Sequence, residues 1–241
     1  MEQFENQITL RGDLLGLPEF SHENHGKKFY RFFLEVARLS GAVDVLPVVA
    51  ELRLLEGLDL LCGERMTVRG QIRSHNHSDE LGRHLMIFAF ANELRMEEGE
   101  PINDVHLSGL LCREPTFRRT PLGREICDVM LAVPRAFRRA DYLPCILWGR
   151  IAQEVSRCRT RDRLELTGRL QSRIYTKYQN DVPCERTAYE ISALTASCTG
   201  AELCPLPPPA VLRQWAFCIK TFTFFVRKAK KYSCFLGGIG V

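Results

Sequence analysis

The sequence repeats itself at an offset of 97 residues, and this repeat limits the folds that are open to the chain. After one residue of slip, Gly70 and Ser74 in the first half match Gly168 and Ser172 in the second. The period is too long for a solenoid repeat and has the size of a small domain. The chain therefore consists of two copies of one module. Before the slip, the matched pairs include Asn6 with Asn103, Leu10 with Leu107, Gly12 with Gly109, Pro18 with Pro115, Phe20 with Phe117, Leu34 with Leu131 and Asp44 with Asp141.

Charge distinguishes the two modules. Residues 6–96 contain 11 Lys and Arg against 12 Asp and Glu, whereas residues 103–198 contain 16 against 11. Of those 16 basic residues, 15 are Arg, whose guanidinium binds phosphate as a fork and stacks on flat rings. The second module is therefore the better candidate for contact with a polyanion, the alternative being an ordinary solvated surface of mixed charge.

Short alternating apolar segments predict that both modules are β-rich. In the second module, strands are predicted at 103–111, 125–134, 142–148, 163–175 and 187–193, with a short helix at 151–158. Gly168 predicts a bulge in the fourth strand, and Asn180 and Asp181 predict a turn. This is the element order of a Greek-key barrel, the OB-fold. The predicted fold is all-β with one short helix per domain, forming two tandem five-stranded OB-fold barrels, with the first helix at 51–61.

The predicted boundaries are a first domain at 1–96, a linker at 97–101, a second domain at 102–198 and a tail at 199–241. The tail matches neither module, because three consecutive prolines (207–209) precede an apolar stretch and a basic cluster. We expect a disordered tail. An extra apolar contact and a non-native C-terminus from a shifted reading frame remain open alternatives.

Motif searches favour a protein without catalysis, cofactor or metal. The chain has no phosphate-binding loop, zinc-hydrolase motif or nucleophile elbow. Its ten cysteines include no C-x-x-C pair, and we expect reduced core thiols, as at Cys127, Cys145 and Cys184. His75 and His77 are expected to be solvent-exposed. No secretion signal and no apolar run of about 20 residues is present, so we expect no membrane association.

Several strings in the second module carry a family resemblance: NDVHLSGLLCREPTFRRTPLG, DVMLAVPR, DYLPCILWGRIAQ, LTGRLQSRIYTK and RTAYEISAL. In order and spacing they resemble the bacterial single-stranded DNA-binding proteins. The resemblance is strong over the second module, weaker over residues 6–96 and absent from the tail. It implies sequence-independent coating of single strands in replication, recombination and repair, in the bacterial cytosol or nucleoid.

The resemblance also implies a binding site of aromatic rings with basic neighbours. Each stacked base is worth about 1–3 kcal/mol by alanine substitution, and each of these rings could instead be core or interface. The implied stacking residues are Phe137, Tyr142, Trp148 and Tyr175, and the implied basic residues are Arg118, Arg135, Arg138, Arg139, Arg150, Arg161, Arg173 and Lys177.

The first module lacks these rings at the matching positions, which hold Ser40, Val45, Glu51 and either His77 or Ser78. We expect a degenerate module with a structural or dimerising role. Four aromatic residues in one strand (Phe29, Tyr30, Phe32 and Phe33) suggest core packing together with partner contact, and binding by a different face is the alternative.

Partners follow from the resemblance. Family members often assemble four barrels, so a homodimer of this chain would supply them. Many bacterial members end in an acidic tip that recruits replication and repair enzymes, and residues 199–241 hold a single acid, Glu202, which leaves that role in doubt. The alternative function is a protein-interaction adaptor of the primosome type with secondary nucleic-acid binding. RNA as ligand stays open because stacking does not read the 2′-hydroxyl.

Overall fold

A computed structural model describes residues 4–79, 82–179 and 182–200 of the chain. The described residues form twelve strands and two short α-helices, neither of which has the length and apolar character needed to span a lipid bilayer. The elements are β1 (Asn6–Leu14), β2 (Glu19–Asn24), β3 (Lys27–Ala37), β4 (Val43–Glu51), α1 (Leu52–Leu55), β5 (Arg65–Asp79), β6 (Gly82–Met96), β7 (Ile102–Leu111), β8 (Thr116–Arg119), β9 (Glu125–Arg135), β10 (Arg139–Trp148), α2 (Gly149–Val155), β11 (Arg163–Gln179) and β12 (Val182–Thr199).

Each half of the chain closes into a five-stranded barrel. In the first half the pairings run β1–β3–β4–β6–β5 and return to β1, and in the second half they run β7–β9–β10–β12–β11 and return to β7. The prediction of two tandem OB-fold barrels with one short helix each is confirmed. The connection predicted as turn-rich at 115–123 contains an extra short strand, β8, which pairs with the outer edge of β9 as β2 pairs with β3.

Alternating apolar side chains fill the barrels, and the helices close their ends. Ile8 and Leu10 of β1 are almost fully buried, and Leu55 of α1 and Val155 of α2 join the same core. Helix α1 is shorter than predicted because the backbone is already extended at Glu56, and Gly57 follows with a φ of 79°. Strand β12 is longer than predicted because it pairs with β11 along its whole length, well beyond the barrel.

The predicted bulge at Gly168 is present. The register of β11 against β12 shifts between Thr167 and Gly168, and the matching shift in the first barrel falls at Gly70. A Cβ atom at Gly168 would overlap the carbonyl oxygen of Ser192. Glycine is therefore required where each long strand bends to close its barrel.

The two barrels share one sheet. Strands β1 and β7 pair antiparallel, with Asn6 opposite Leu107 and Leu10 opposite Asn103. Because these residues are repeat equivalents, the pairing is the kind a symmetric dimer forms between two copies of one strand. The joint creates a continuous twelve-stranded sheet with β2 and β8 at its two ends.

Burial and pairing divide the cysteines. Cys127 and Cys145 are buried, as predicted, and desolvation raises the pKa of the Cys127 thiol to about 12. The sulfur atoms of Cys158, in the turn after α2, and Cys198, at the end of β12, lie next to each other. For this pair the expectation of reduced thiols stays a prediction. The tail at 201–241 and the turn predicted at 180–181 lie outside the described residues.

Candidate nucleic-acid interface

Five of the predicted site residues lie on the side of the second barrel that faces away from its core, which we call the outer face: Arg118, Tyr142, Trp148, Arg173 and Tyr175. It consists of the outward side chains of β8–β12, and cross-strand partners identify them because directly opposed residues share a face. Trp148 is opposite Ile126, Ile126 is opposite Arg118, and Tyr175 is opposite Arg186. Residues far apart in sequence are thus gathered on one surface.

Phe137 occupies the tip between β9 and β10 with its side chain 95% exposed. Its backbone is left-handed, with φ 59° and ψ 37°, inside the short 3₁₀ turn Ala136–Arg138. A non-glycine residue in this region is uncommon and indicates a constrained loop. Arg135 and Arg139 face each other across the base of the tip. The tip therefore presents a bare ring between basic residues.

Trp148 lies at the other end of β10, 36% exposed, and its indole nitrogen donates a hydrogen bond of 3.1 Å to Ser192 Oγ. This bond fixes the ring while one part stays open to solvent. Arg118 on the same face pairs with Asp128, with Nε 2.5 Å from Oδ2. Arg150 lies in the first turn of α2, just beyond Trp148, and pairs with Glu154 at 2.8 Å.

Tyr175 lies on the part of β11 that extends past the barrel. It is half-buried, and burial raises the pKa of its phenol. Arg173, on the same side of the strand, approaches Glu190 with Nε 3.9 Å from Oε1. The predicted neighbour Lys177 continues β11, and its side chain lies outside what the structure describes, as does that of Arg138 in the tip.

Tyr142 lacks the exposed ring that stacking on a base requires. Its side chain is 6% exposed and packs against Met130, Ala132 and Leu85. Leu85 belongs to β6, so the first barrel covers this ring. The structure thus removes Tyr142 from the stacking set, and the physical reason is that the ring contributes to the contact between barrels.

Carboxylates divide the predicted arginines into two groups. Arg118, Arg135, Arg150 and Arg173 each lie within 4.0 Å of an acidic oxygen. Arg139 and Arg161 form no ion pair with any residue that the structure describes, and both are exposed. Arg161 lies in the turn before β11, at the edge of the barrel, with a φ of 77°. Burial lowers the pKa of Arg135, which remains charged. Because Arg139 and Arg161 are exposed and have no carboxylate partner among the described residues, they are the cations most available to a phosphate.

Two residues of this surface were missed from the sequence. Arg169 on β11 is opposite Ser192, the partner of Trp148, and Arg186 on β12 is opposite Tyr175. Phe117 on β8 is 42% exposed but is opposite Cys127, so it lies on the other side of the strand. The signal that could have found Arg169 is the two-residue period 169–171–173–175 along β11, which places these residues on one face.

The equivalent face of the first barrel is different in chemistry. Phe29, Phe33 and Phe90 occupy it, and Phe29 is only 8% exposed, with its ring 5.8 Å from that of Phe90. Glu51 stands where the second barrel has Trp148, and it is neutralised by Lys27 and Arg53. Among the residues that the structure describes, this face holds rings that pack on each other, and Ser40 stands where the second barrel exposes Phe137.

Comparisons with known proteins find relatives of the second barrel. The sequence profile described as "Single-strand binding protein family" matches residues 102–198. Single-stranded DNA-binding protein B of Bacillus subtilis is 35% identical over 80 residues, covering 30% of this chain and 71% of that protein. Single-stranded DNA-binding protein 1 of Lactococcus lactis is 35% identical over 85 residues, covering 32% of this chain and 57% of that protein.

The fold similarity extends over both barrels. The crystal structure of the wild-type single-stranded DNA binding protein from Thermus aquaticus superposes with a TM-score of 0.68 at 23% identity, covering 85% of this chain and 98% of that one. The chain spans 57% and 49% of the first two curated relatives that it matches. On the matched second barrel and the shared architecture, the chain belongs to the single-strand binding protein family.

Proposed function

We propose that the protein binds single-stranded DNA without sequence preference, through the tip and the outer face of the second barrel. Bases would stack on Phe137, Trp148 and Tyr175, and arginines would neutralise the phosphates. Arg139 and Arg161 bind phosphate directly. Arg118, Arg150 and Arg173, whose guanidinium groups are exposed, exchange their carboxylate partners for phosphate, because exposed ion pairs are weak. Arg135 stays paired with the buried Asp141. No step of this function requires catalysis.

The exposed ring of Phe137 is the observation that carries the proposal. Packing cannot explain it, since 95% of the side chain is in solvent. A left-handed tip with flanking arginines holds the ring away from the barrel, which is the arrangement a stacking platform needs. The adaptor alternative has weaker support, because the curated relatives of the second barrel are named single-stranded DNA-binding proteins.

The test is a titration of the full chain with dT oligomers, followed by tryptophan fluorescence in the variant Trp215→Phe, which leaves Trp148 as the only tryptophan. We expect quenching on binding, and an affinity that falls steeply with salt as counterions are released. The double variant Phe137→Ala with Tyr175→Ala should lose about 2–6 kcal/mol of binding free energy for two stacked bases. Unchanged affinity in the double variant would overturn the site. Parallel titration with U oligomers compares RNA with DNA.

We propose further that the protein acts by coating strands in replication, recombination and repair, in the bacterial cytosol or nucleoid. We also propose a homodimer that brings four barrels together, with the first barrel as a degenerate copy. Sedimentation equilibrium measures the assembly directly: a mass of one chain at micromolar concentration would exclude the dimer.

A further inference from the structure

Two buried carboxylates connect the barrels reciprocally. Asp141, at the start of β10, is fully buried, and its Oδ1 accepts a hydrogen bond of 2.8 Å from the backbone nitrogen of Ser74 on β5. Ser74 Oγ in turn accepts a hydrogen bond of 2.8 Å from the backbone nitrogen of Tyr142. Arg73 donates to Asp141 Oδ2 at 3.1 Å, and Arg135 donates to Oδ1 at 3.3 Å. We call this set the Asp141 lock.

The repeat-equivalent residues form the opposite connection. Asp44 on β4 is fully buried, and its Oδ1 accepts a hydrogen bond of 2.7 Å from the backbone nitrogen of Ser172 on β11. Ser172 Oγ accepts a hydrogen bond of 3.3 Å from the backbone nitrogen of Val45. Arg38 donates to both carboxylate oxygens of Asp44. We call this set the Asp44 lock.

Each lock fixes one binding element of the second barrel to the first barrel. Asp141 lies two residues after Arg139, and Arg135 binds it directly, so the Asp141 lock holds the base of the tip that carries Phe137. Ser172 lies three residues before Tyr175, so the Asp44 lock holds β11 where it leaves its own barrel. The tip and the extended part of β11 belong to different loops of the second barrel, and both are attached to the first.

From this arrangement we propose that Asp44 and Asp141 are positioning residues for nucleic-acid binding. The first barrel is a frame that sets the spacing between the Phe137 tip and the Tyr175 strand, so that one DNA strand can contact both. This inference rests on the proposed function of the second barrel. The physical basis is bivalency: two contacts on one ligand reinforce each other only when their geometry permits simultaneous binding.

The experiment uses the full chain with Asp44→Asn and Asp141→Asn, titrated with dT oligomers of about 16 and about 4 nucleotides. An amide replaces one acceptor oxygen by a donor that faces other donors, so each substitution breaks its lock. We expect the affinity for the long oligomer to fall at least about fivefold. The short oligomer, which reaches only one element, should keep its wild-type affinity.

Asp13→Asn is the matched control. Asp13 forms a two-point pair with Arg65 inside the first barrel, at 2.7 and 2.9 Å, and contacts neither lock. It should leave both affinities unchanged. If the asparagine variants fail to fold, Ser74→Ala and Ser172→Ala take their place. Each removes the serine Oγ that accepts a backbone hydrogen bond across one lock, and the same loss of affinity for the long oligomer is expected.

The outcomes separate the two proposals. Wild-type protein that does not bind dT overturns the proposed function itself. Wild-type binding together with undiminished long-oligomer affinity in the lock variants overturns the positioning role, as would an equal loss for both lengths, which indicates a general effect on folding. A rise in affinity would mean that the carboxylates only neutralise Arg38 and Arg135.

Discussion

The two barrels share a fold to the level of individual hydrogen bonds, yet their surfaces differ. In both, a half-buried asparagine at the start of the barrel, Asn6 or Asn103, binds the backbone of the long strand at Ile72 or Leu170. Outside the core, the second barrel exposes Phe137, and the first has Ser40 at that position. Packing has preserved one set of residues in both copies, and the surface of each copy is free to differ.

The largest expected effect tests whether the two cores are equivalent. Leu34 and Leu131 are repeat equivalents, and both are fully buried. Replacement of either by alanine should lower the free energy of unfolding by about 2–5 kcal/mol, because each leaves a cavity in a closed barrel. Chemical denaturation measures both. Losses that differ by more than about 2 kcal/mol would show that one barrel relaxes around the cavity and the other does not.

The next effect tests the difference between the tips. Phe137→Ala should cost about 1–3 kcal/mol of binding free energy for oligo-dT, whereas Ser40→Ala in the first barrel should cost nothing measurable. Fluorescence titration at fixed salt compares the two variants. An equal loss from both would mean that the first barrel also contributes its tip to binding.

A smaller effect concerns the charge of each tip. Arg139→Gln removes a cation that has no acidic partner among the described residues, so the slope of log affinity against log salt should fall by about 1. Ala42 is its repeat equivalent, and Ala42→Arg should leave the slope unchanged. Titrations at three or more salt concentrations give both slopes. A slope steeper for Ala42→Arg than for the wild type would mean that DNA also contacts the loop between β3 and β4.

The smallest expected effect is a pH dependence of the stability of the first barrel. Its hydrogen bonds with Arg65 lower the pKa of Asp13 from 3.8, and the equivalent position in the second barrel is Leu110. A lowered pKa stabilises the fold above the unfolded value, and this contribution is lost as the pH falls through the folded pKa. The stability difference between wild type and Asp13→Asn should therefore shrink below about pH 4. A difference independent of pH would contradict the assignment.

Much of the fold could be predicted because the repeat and the two-residue alternation can both be read directly from the sequence. Closed barrels, short helices and the Gly168 bulge all follow from them. The fate of Tyr142 could not be predicted, because Leu85 covers it from the other barrel, 57 residues earlier in the chain. The same holds for the Asp141 lock: the sequence shows Asp44 and Asp141 as a matched pair but does not show that each carboxylate binds the opposite copy.

The antiparallel joint between β1 and β7 has a consequence for how such a protein can change. Where two identical chains associate through this strand, every substitution appears on both sides of the axis, and dilution separates the halves. Here the halves are covalently linked, so their association is independent of concentration. One half can lose an ancestral task and serve as scaffolding without loss of that task in the other.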